Sequence, residues 1–132
     1  MNAVDLTEIR VRYAETDQMG VVYYSNYFVW FEVARTEYFR SRGVDYRSLE
    51  EKEKIYLPVV EAYCRYRMPI RYDDRVIVET QVAEVTGTRL VFEYKVKREG
   101  KTCTSGRTVH VFVNAAGEPI PIPKMVKNIL SE

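Results

Sequence analysis

Histidine and cysteine are scarce in this chain of 132 residues: His110 is the one histidine, and Cys64 and Cys103 are the two cysteines. A zinc site of the usual Cys/His kind therefore lacks ligands. A Ser-His-Asp triad would have to be built on His110, and no Gly-x-Ser-x-Gly turn is present to expose a serine. No glycine-rich phosphate loop occurs either. No apolar run approaches the ~20 residues of a membrane span, and the opening Met-Asn-Ala-Val-Asp-Leu has no signal-peptide character. The cysteines form no Cys-x-x-Cys pair and read as reduced thiols of a cytoplasmic protein. Charge of one sign is missing as well. Twenty Lys and Arg face nineteen Asp and Glu, leaving +1, which gives no electrostatic case for nucleic acid or an anionic membrane as partner. Neither metal nor cofactor is expected. Any chemistry must come from carboxylates, backbone amides and the eleven tyrosines.

What is present suffices for one core. Apolar residues make up 46% of the chain and charged residues 30%, which fits a globular unit spanning 1–132 as a single domain. Residues 6–13 alternate, with Ile9, Val11 and Tyr13 on one face and Glu8, Arg10 and Arg12 on the other, predicting a half-buried strand. A loop with Asp17 and Gly20 follows. Ser25 or Asn26 can then cap a helix reaching about Ser41, with Gly43 just beyond its end. Tyr27, Phe31, Ala34 and Tyr38 recur at helical spacing, widened by Phe28, Trp30, Val33 and Phe39, so this helix should be largely wrapped. Residues 44–54 are charged and read as irregular.

The rest predicts strands: an apolar-rich run over 55–68, then alternating runs around Val76–Val82, Leu90–Val96 and Val109–Val113. Turns are expected at Tyr72-Asp73-Asp74, Thr86-Gly87-Thr88 and Glu99-Gly100, and a short helix over 124–131. A helix of ~16 residues is ~24 Å long, whereas strands of ~10 residues span ~33 Å. One helix covers such a sheet only if the sheet twists strongly around it and a second copy supplies the remaining cover.

Residues 12–38 read Arg-Tyr-Ala-Glu-Thr-Asp-Gln-Met-Gly-Val-Val-Tyr-Tyr-Ser-Asn-Tyr-Phe-Val-Trp-Phe-Glu-Val-Ala-Arg-Thr-Glu-Tyr. This stretch closely resembles the hot-dog-fold thioesterases of the 4-hydroxybenzoyl-CoA thioesterase type and their short-chain acyl-CoA relatives. The likeness continues through Pro58–Ala62, Tyr72–Asp74 and Thr88–Phe92 and ends near Pro123-Lys124. It implies an α+β hot-dog fold, a five-stranded antiparallel sheet wrapped around one long helix. It also implies dimers with a continuous ten-stranded sheet, often paired into a homotetramer, and active sites at the dimer interface.

Thioester hydrolysis needs an attacking oxygen and a stabiliser for the developing oxyanion. Asp17 is the candidate for the first role, as nucleophile or as base on water, in line with the matching aspartate of the resembling enzymes. Tyr24, before the helix, would offer its backbone N–H at the positive end of the helix dipole. Many relatives carry histidine there, so a tyrosine leaves the backbone role intact and puts a side-chain acid–base role in doubt. Gly20 allows a positive φ or close substrate approach, or simply makes a turn. Glu61 interrupts an apolar run on a strand expected to be buried, so it needs a partner. It faces either the neighbouring chain's active site or pairs with Arg65 or Arg67. Arg89, at a turn in a resembling block, is the candidate for the coenzyme A phosphates. His110, between valines, reads as a satisfied core histidine.

The leading expectation is an acyl-CoA thioesterase, cytoplasmic and oligomeric, that releases free acid and coenzyme A. The alternatives are a thioesterase acting on acyl-carrier protein, or a non-catalytic acyl-CoA-binding module. A hydratase of the same fold would need a histidine elsewhere.

Overall fold

A computed structural model describes residues 3–130. The elements are β1 (Asp5–Arg10), a 3-10 turn (Tyr13–Glu15), α1 (Asn26–Arg40), α2 (Tyr46–Glu51), β2 (Val59–Tyr66), β3 (Arg75–Thr86), β4 (Arg89–Arg98), β5 (Lys101–Val111) and α3 (Lys124–Leu130). All strands pair antiparallel in one five-stranded sheet ordered β1-β3-β4-β5-β2, with α1 against its inner face. This is the sheet-around-helix architecture that the resemblance implies. The two hairpin turns fall where turn residues predict them. Gly87 takes φ 53°, while Glu99 and Gly100 take 51° and 78°, the left-handed pair of a type I′ turn.

Three local expectations need correction. β1 ends at Arg10, and Tyr13 is 77% exposed instead of sharing the buried face with Val11. The chain leaves the sheet because the Glu15 carboxylate takes the Arg12 N–H, while the carbonyls of Arg12 and Tyr13 accept from the amides of Glu15 and Thr16. Residues 44–54 are not irregular throughout, since Tyr46–Glu51 is helical. The Asp45 side chain accepts from the Arg47 N–H at 3.1 Å, and Leu49 is its one buried anchor. So short a helix leaves no periodic signal. Finally, Ser25 occupies the N-cap position of α1 but makes no side-chain cap, and the Asn26 amide donates instead to the Glu15 carbonyl at 2.8 Å.

The inner sheet face is as the alternation predicts: Val76, Val78, Val82, Leu90, Phe92, Tyr94 and Val96 are all buried. Against them α1 lays Tyr27, Trp30, Phe31, Ala34, Tyr38 and Phe39. Phe31 stacks on Tyr94 with ring centres 4.3 Å apart, which is possible because β5 carries Gly106 beneath the ring. A Cβ on Gly106 would stand 2.3 Å from Phe31 Cε2. Between helix and sheet runs a polar chain. Arg35 donates to the Tyr94 hydroxyl (3.1 Å), which shares a hydrogen bond with Thr108 (2.6 Å), and Thr108 bonds His110 Nε2 (2.8 Å).

Cover is incomplete on two sides. Val29 and Val33 on α1 are 46% and 41% exposed. Along β2 every residue is exposed except half-buried Cys64. Glu61 therefore lies on an open edge strand, contrary to the buried setting expected for it. Its apolar neighbours Val59, Val60 and Tyr63 are exposed with it, because no strand among the described residues pairs with β2 on the side away from β5. Among the described residues, no helix is long and apolar enough to cross a membrane.

Candidate active site

Residues 16–22 form a small hairpin. Thr16 and Val22 bridge, the Asp17 N–H donates to the Val21 carbonyl at 2.9 Å, and the Gly20 N–H returns to the Asp17 carbonyl at 2.9 Å. Gly20 makes the reversal at φ 81°, a conformation that glycine adopts without the penalty of a Cβ. Arg71 Nη1 would be 3.8 Å from a Cβ there, so conformation rather than crowding selects glycine. Val22 ties the hairpin to the body through the Ile70 carbonyl at 2.8 Å. Within the turn, Asp17 Oδ1 accepts the Met19 N–H at 2.8 Å. Oδ2 has no hydrogen-bond or ion-pair partner among the described residues. One carboxylate oxygen thus fixes the side chain and the other remains free to react.

The return arm leads into α1. Tyr23 donates its N–H to the Glu15 carbonyl at 2.9 Å, and the Tyr66 hydroxyl donates to the Tyr24 carbonyl at 2.9 Å. The next two amides, on Tyr24 and Ser25, have no acceptor among the described residues. Because no side chain caps the helix, these free N–H groups stand at its positive end. The rings of Tyr23 and Tyr24 lie 4.7 Å apart, and the hydrogen bond with Tyr24 raises the Tyr23 pKa above its ordinary value, keeping that phenol neutral at pH 7. Burial likewise raises Tyr66, which stays a donor. A groove of about 660 Å³ is lined by Tyr13, Thr16, Asp17, Gln18, Tyr23 and Asn26, and Tyr24 adjoins its Tyr23 wall.

Asp17 and Gly20 thus share one turn, Tyr24 follows on its return arm beside Tyr23, and the other two candidates lie elsewhere. Glu61 makes no ion pair with Arg65 or Arg67 among the described residues, so that alternative fails. Arg89 pairs with Glu84 at 2.7 Å at the far end of β4. The near end, Arg98, bonds Asp74 and the Pro69 carbonyl beside the hairpin's anchor at Ile70. Ten residues of strand, about 30 Å, separate the two ends. His110 is a buried core residue, as expected. A second cleft of about 380 Å³, lined by Tyr63, Glu79, Glu93, Lys95 and Arg107, opens on the sheet face away from α1.

Sequence reasoning missed Glu15. It is 5% exposed, with Oε1 accepting the Arg12 N–H and Oε2 accepting Trp30 Nε1–H, each at 2.8 Å. The one tryptophan in the chain was the available signal, because a buried indole N–H needs an acceptor.

A family model described as the thioesterase-like superfamily matches residues 11–130, nearly the whole chain. The chain belongs to that superfamily. Acyl-CoA thioesterase YbgC of Haemophilus influenzae is 36% identical over 121 residues, covering 90% of this chain and 88% of that protein. Among solved structures, the DHNA-CoA thioesterase of Staphylococcus aureus superposes with TM-score 0.86 at 38% identity, over 89% of this chain and 80% of that one. A hypothetical protein of Thermus thermophilus does so with TM-score 0.91 at 39% identity, over 96% of each. This thioesterase-like chain therefore has the hot-dog fold, and the matched residues include the Asp17 hairpin, all of α1 and the four strands that follow.

Proposed function

We propose that this protein hydrolyses acyl-CoA thioesters to a free acid and coenzyme A, with Asp17 and the Tyr24 amide acting on the same carbonyl. The observation that carries this reading is the pairing of a carboxylate with one free oxygen and two unbonded amides at the uncapped start of α1, joined by one short hairpin. The substrate class comes from the relatives, whose names are those of acyl-CoA thioesterases.

The free Asp17 oxygen attacks the thioester carbon, or takes a proton from a water that does. Negative charge then develops on the carbonyl oxygen, which the Tyr24 N–H stabilises together with the helix dipole. Collapse of the tetrahedral species breaks the C–S bond and releases the thiolate of coenzyme A, which takes up a proton. On the direct route water next cleaves the acyl-Asp17 anhydride, so both routes consume one water and yield acid and thiol. Gly20 keeps the turn tight enough to aim Asp17. The exposed apolar edge of β2 favours a dimer with β2 against β2, and in such an assembly Glu61 and Arg89 are proposed to serve the partner's site, Arg89 at the coenzyme A phosphates.

Thiol release from acyl-CoA, followed with a thiol reagent, tests the reading. Asp17→Asn is nearly isosteric but can neither attack nor accept the proton, so kcat should fall by a factor of at least about 100 with oligomer and fold retained. Tyr24→Phe keeps the amide and should stay within about threefold, whereas loss of a side-chain oxyanion donor would cost about 100-fold. Turnover by Asp17→Asn close to the parent's would exclude the carboxylate.

A further inference from the structure

Glu15 touches both arms of the hairpin and the helix they feed. Its carbonyl accepts two donors from the return side, the Tyr23 N–H at 2.9 Å and Asn26 Nδ2 at 2.8 Å. Its carboxylate accepts the Arg12 N–H on the incoming arm and Trp30 Nε1–H from within α1. Asp17 lies two positions beyond Glu15, and the Tyr24 amide one position beyond Tyr23. These bonds of Glu15 tie the incoming arm, the return arm and α1 to one another, while the Val22 bond to Ile70 and the Tyr66 bond to the Tyr24 carbonyl anchor the return arm to the body.

We propose that Glu15 is a positioning residue for thioester hydrolysis: its buried carboxylate locks the Asp17 hairpin onto α1 and so holds the attacking oxygen and the oxyanion-binding amide in register. The proposal rests on the Asp17–Tyr24 reading above. The carboxylate itself touches neither substrate nor the reacting atoms. It is 5% exposed, and the Arg12 guanidinium reaches it at 3.5 Å from the surface. Glutamate suits this place because the two N–H groups converge on separate oxygens of one side chain, where an amide would offer only one acceptor. A structural role alone would be met by any well-packed apolar pair. A catalytic constellation, in contrast, loses rate steeply with sub-ångström misplacement.

Glu15→Gln is the test, because its amide supplies one acceptor and sets an NH2 against the other N–H. In thiol-release assays kcat should drop by roughly 10- to 100-fold while KM for acyl-CoA stays within about threefold. Circular dichroism and light scattering should match the parent. Adding Trp30→Phe removes the conflicting donor, so Glu15→Gln/Trp30→Phe should recover to within about threefold of Trp30→Phe alone. A kcat for Glu15→Gln within about twofold of the parent, a loss confined to KM, or no recovery in the double variant would overturn the positioning role. If Glu15→Gln does not fold, Trp30→Phe alone decides. It leaves one carboxylate oxygen without its partner, so a lower kcat at constant KM supports the role and an unchanged kcat overturns it. Asp17→Asn runs in the same assay. Activity in that variant sinks the Asp17 reading itself, whereas an inactive Asp17→Asn beside an unaffected Glu15→Gln sinks only the positioning role.

Discussion

His110 makes the stability of this fold sensitive to mild acid in a way that can be worked out in advance. Its ring is fully buried, with Nε2 at 2.8 Å from the Thr108 hydroxyl and Nδ1 at 3.3 Å from the Leu57 carbonyl. Burial, reinforced by the Arg35 guanidinium and opposed by the Leu57 carbonyl, lowers its pKa from 6.5 to about 4. Tyr94 and Tyr46 around Arg35 are pushed upward by burial, Tyr46 to about 12, so neither titrates in this range. Below pH 6.5 the unfolded chain therefore binds a proton that the folded chain refuses. Stability is unaffected by this group above 6.5 and is lost as pH falls toward 4. At 1.36 kcal/mol per pH unit the full loss is about 3 kcal/mol, most of it gone by pH 4.5. Urea midpoints near pH 7 and near pH 4.5, at one fixed protein concentration, measure it for the parent and for His110→Gln. Carboxylates that titrate in the same window act alike in both chains, so the parent should lose about 2–3 kcal/mol more than the variant. Equal losses would show that His110 is not held neutral by its surroundings.

Gly106→Ala should destabilise by about 1–3 kcal/mol, because the new methyl enters the Phe31 ring and crowds the Tyr63 carbonyl at 3.1 Å. Adding Phe31→Leu should restore part of the loss in thermal unfolding, and a full-strength Gly106→Ala would refute the close approach. The open β2 edge predicts a dimer or tetramer at micromolar concentration, and Val60→Lys, on an exposed β2 position, should shift it toward monomer. Light scattering that gives a monomer for the parent removes that prediction.

Alternation made the inner sheet face legible because α1 packs on one side only, so Leu90, Phe92, Tyr94 and Val96 had to be apolar while Glu93 and Lys95 did not. The same rule hid whatever breaks it. Arg35 sits inside an apolar stripe and is 8% exposed, with Nη1 bonded to the Tyr94 hydroxyl, a partner 59 positions away that no local pattern reveals. Glu15 left only the indirect signal of the lone tryptophan, since its indole partner lies a turn into the next element. At the site, Asp17 and Gly20 were readable from the motif, yet the role proposed for Tyr24 rests on an amide with no acceptor among the described residues, a property of the uncapped helix and not of any residue type. The misreading of β2 has a different cause. An apolar run such as Leu57–Ala62 reports burial wherever it occurs, and this chain alone leaves its strand open. Val59, Val60 and Tyr63 then expose apolar surface beside unpaired backbone groups, which folded proteins ordinarily protect. The β2-against-β2 dimer proposed above would reconcile the composition of β2 with its exposure. Within this chain the expected burial of Glu61 does not hold, because β2 is the edge strand of the sheet.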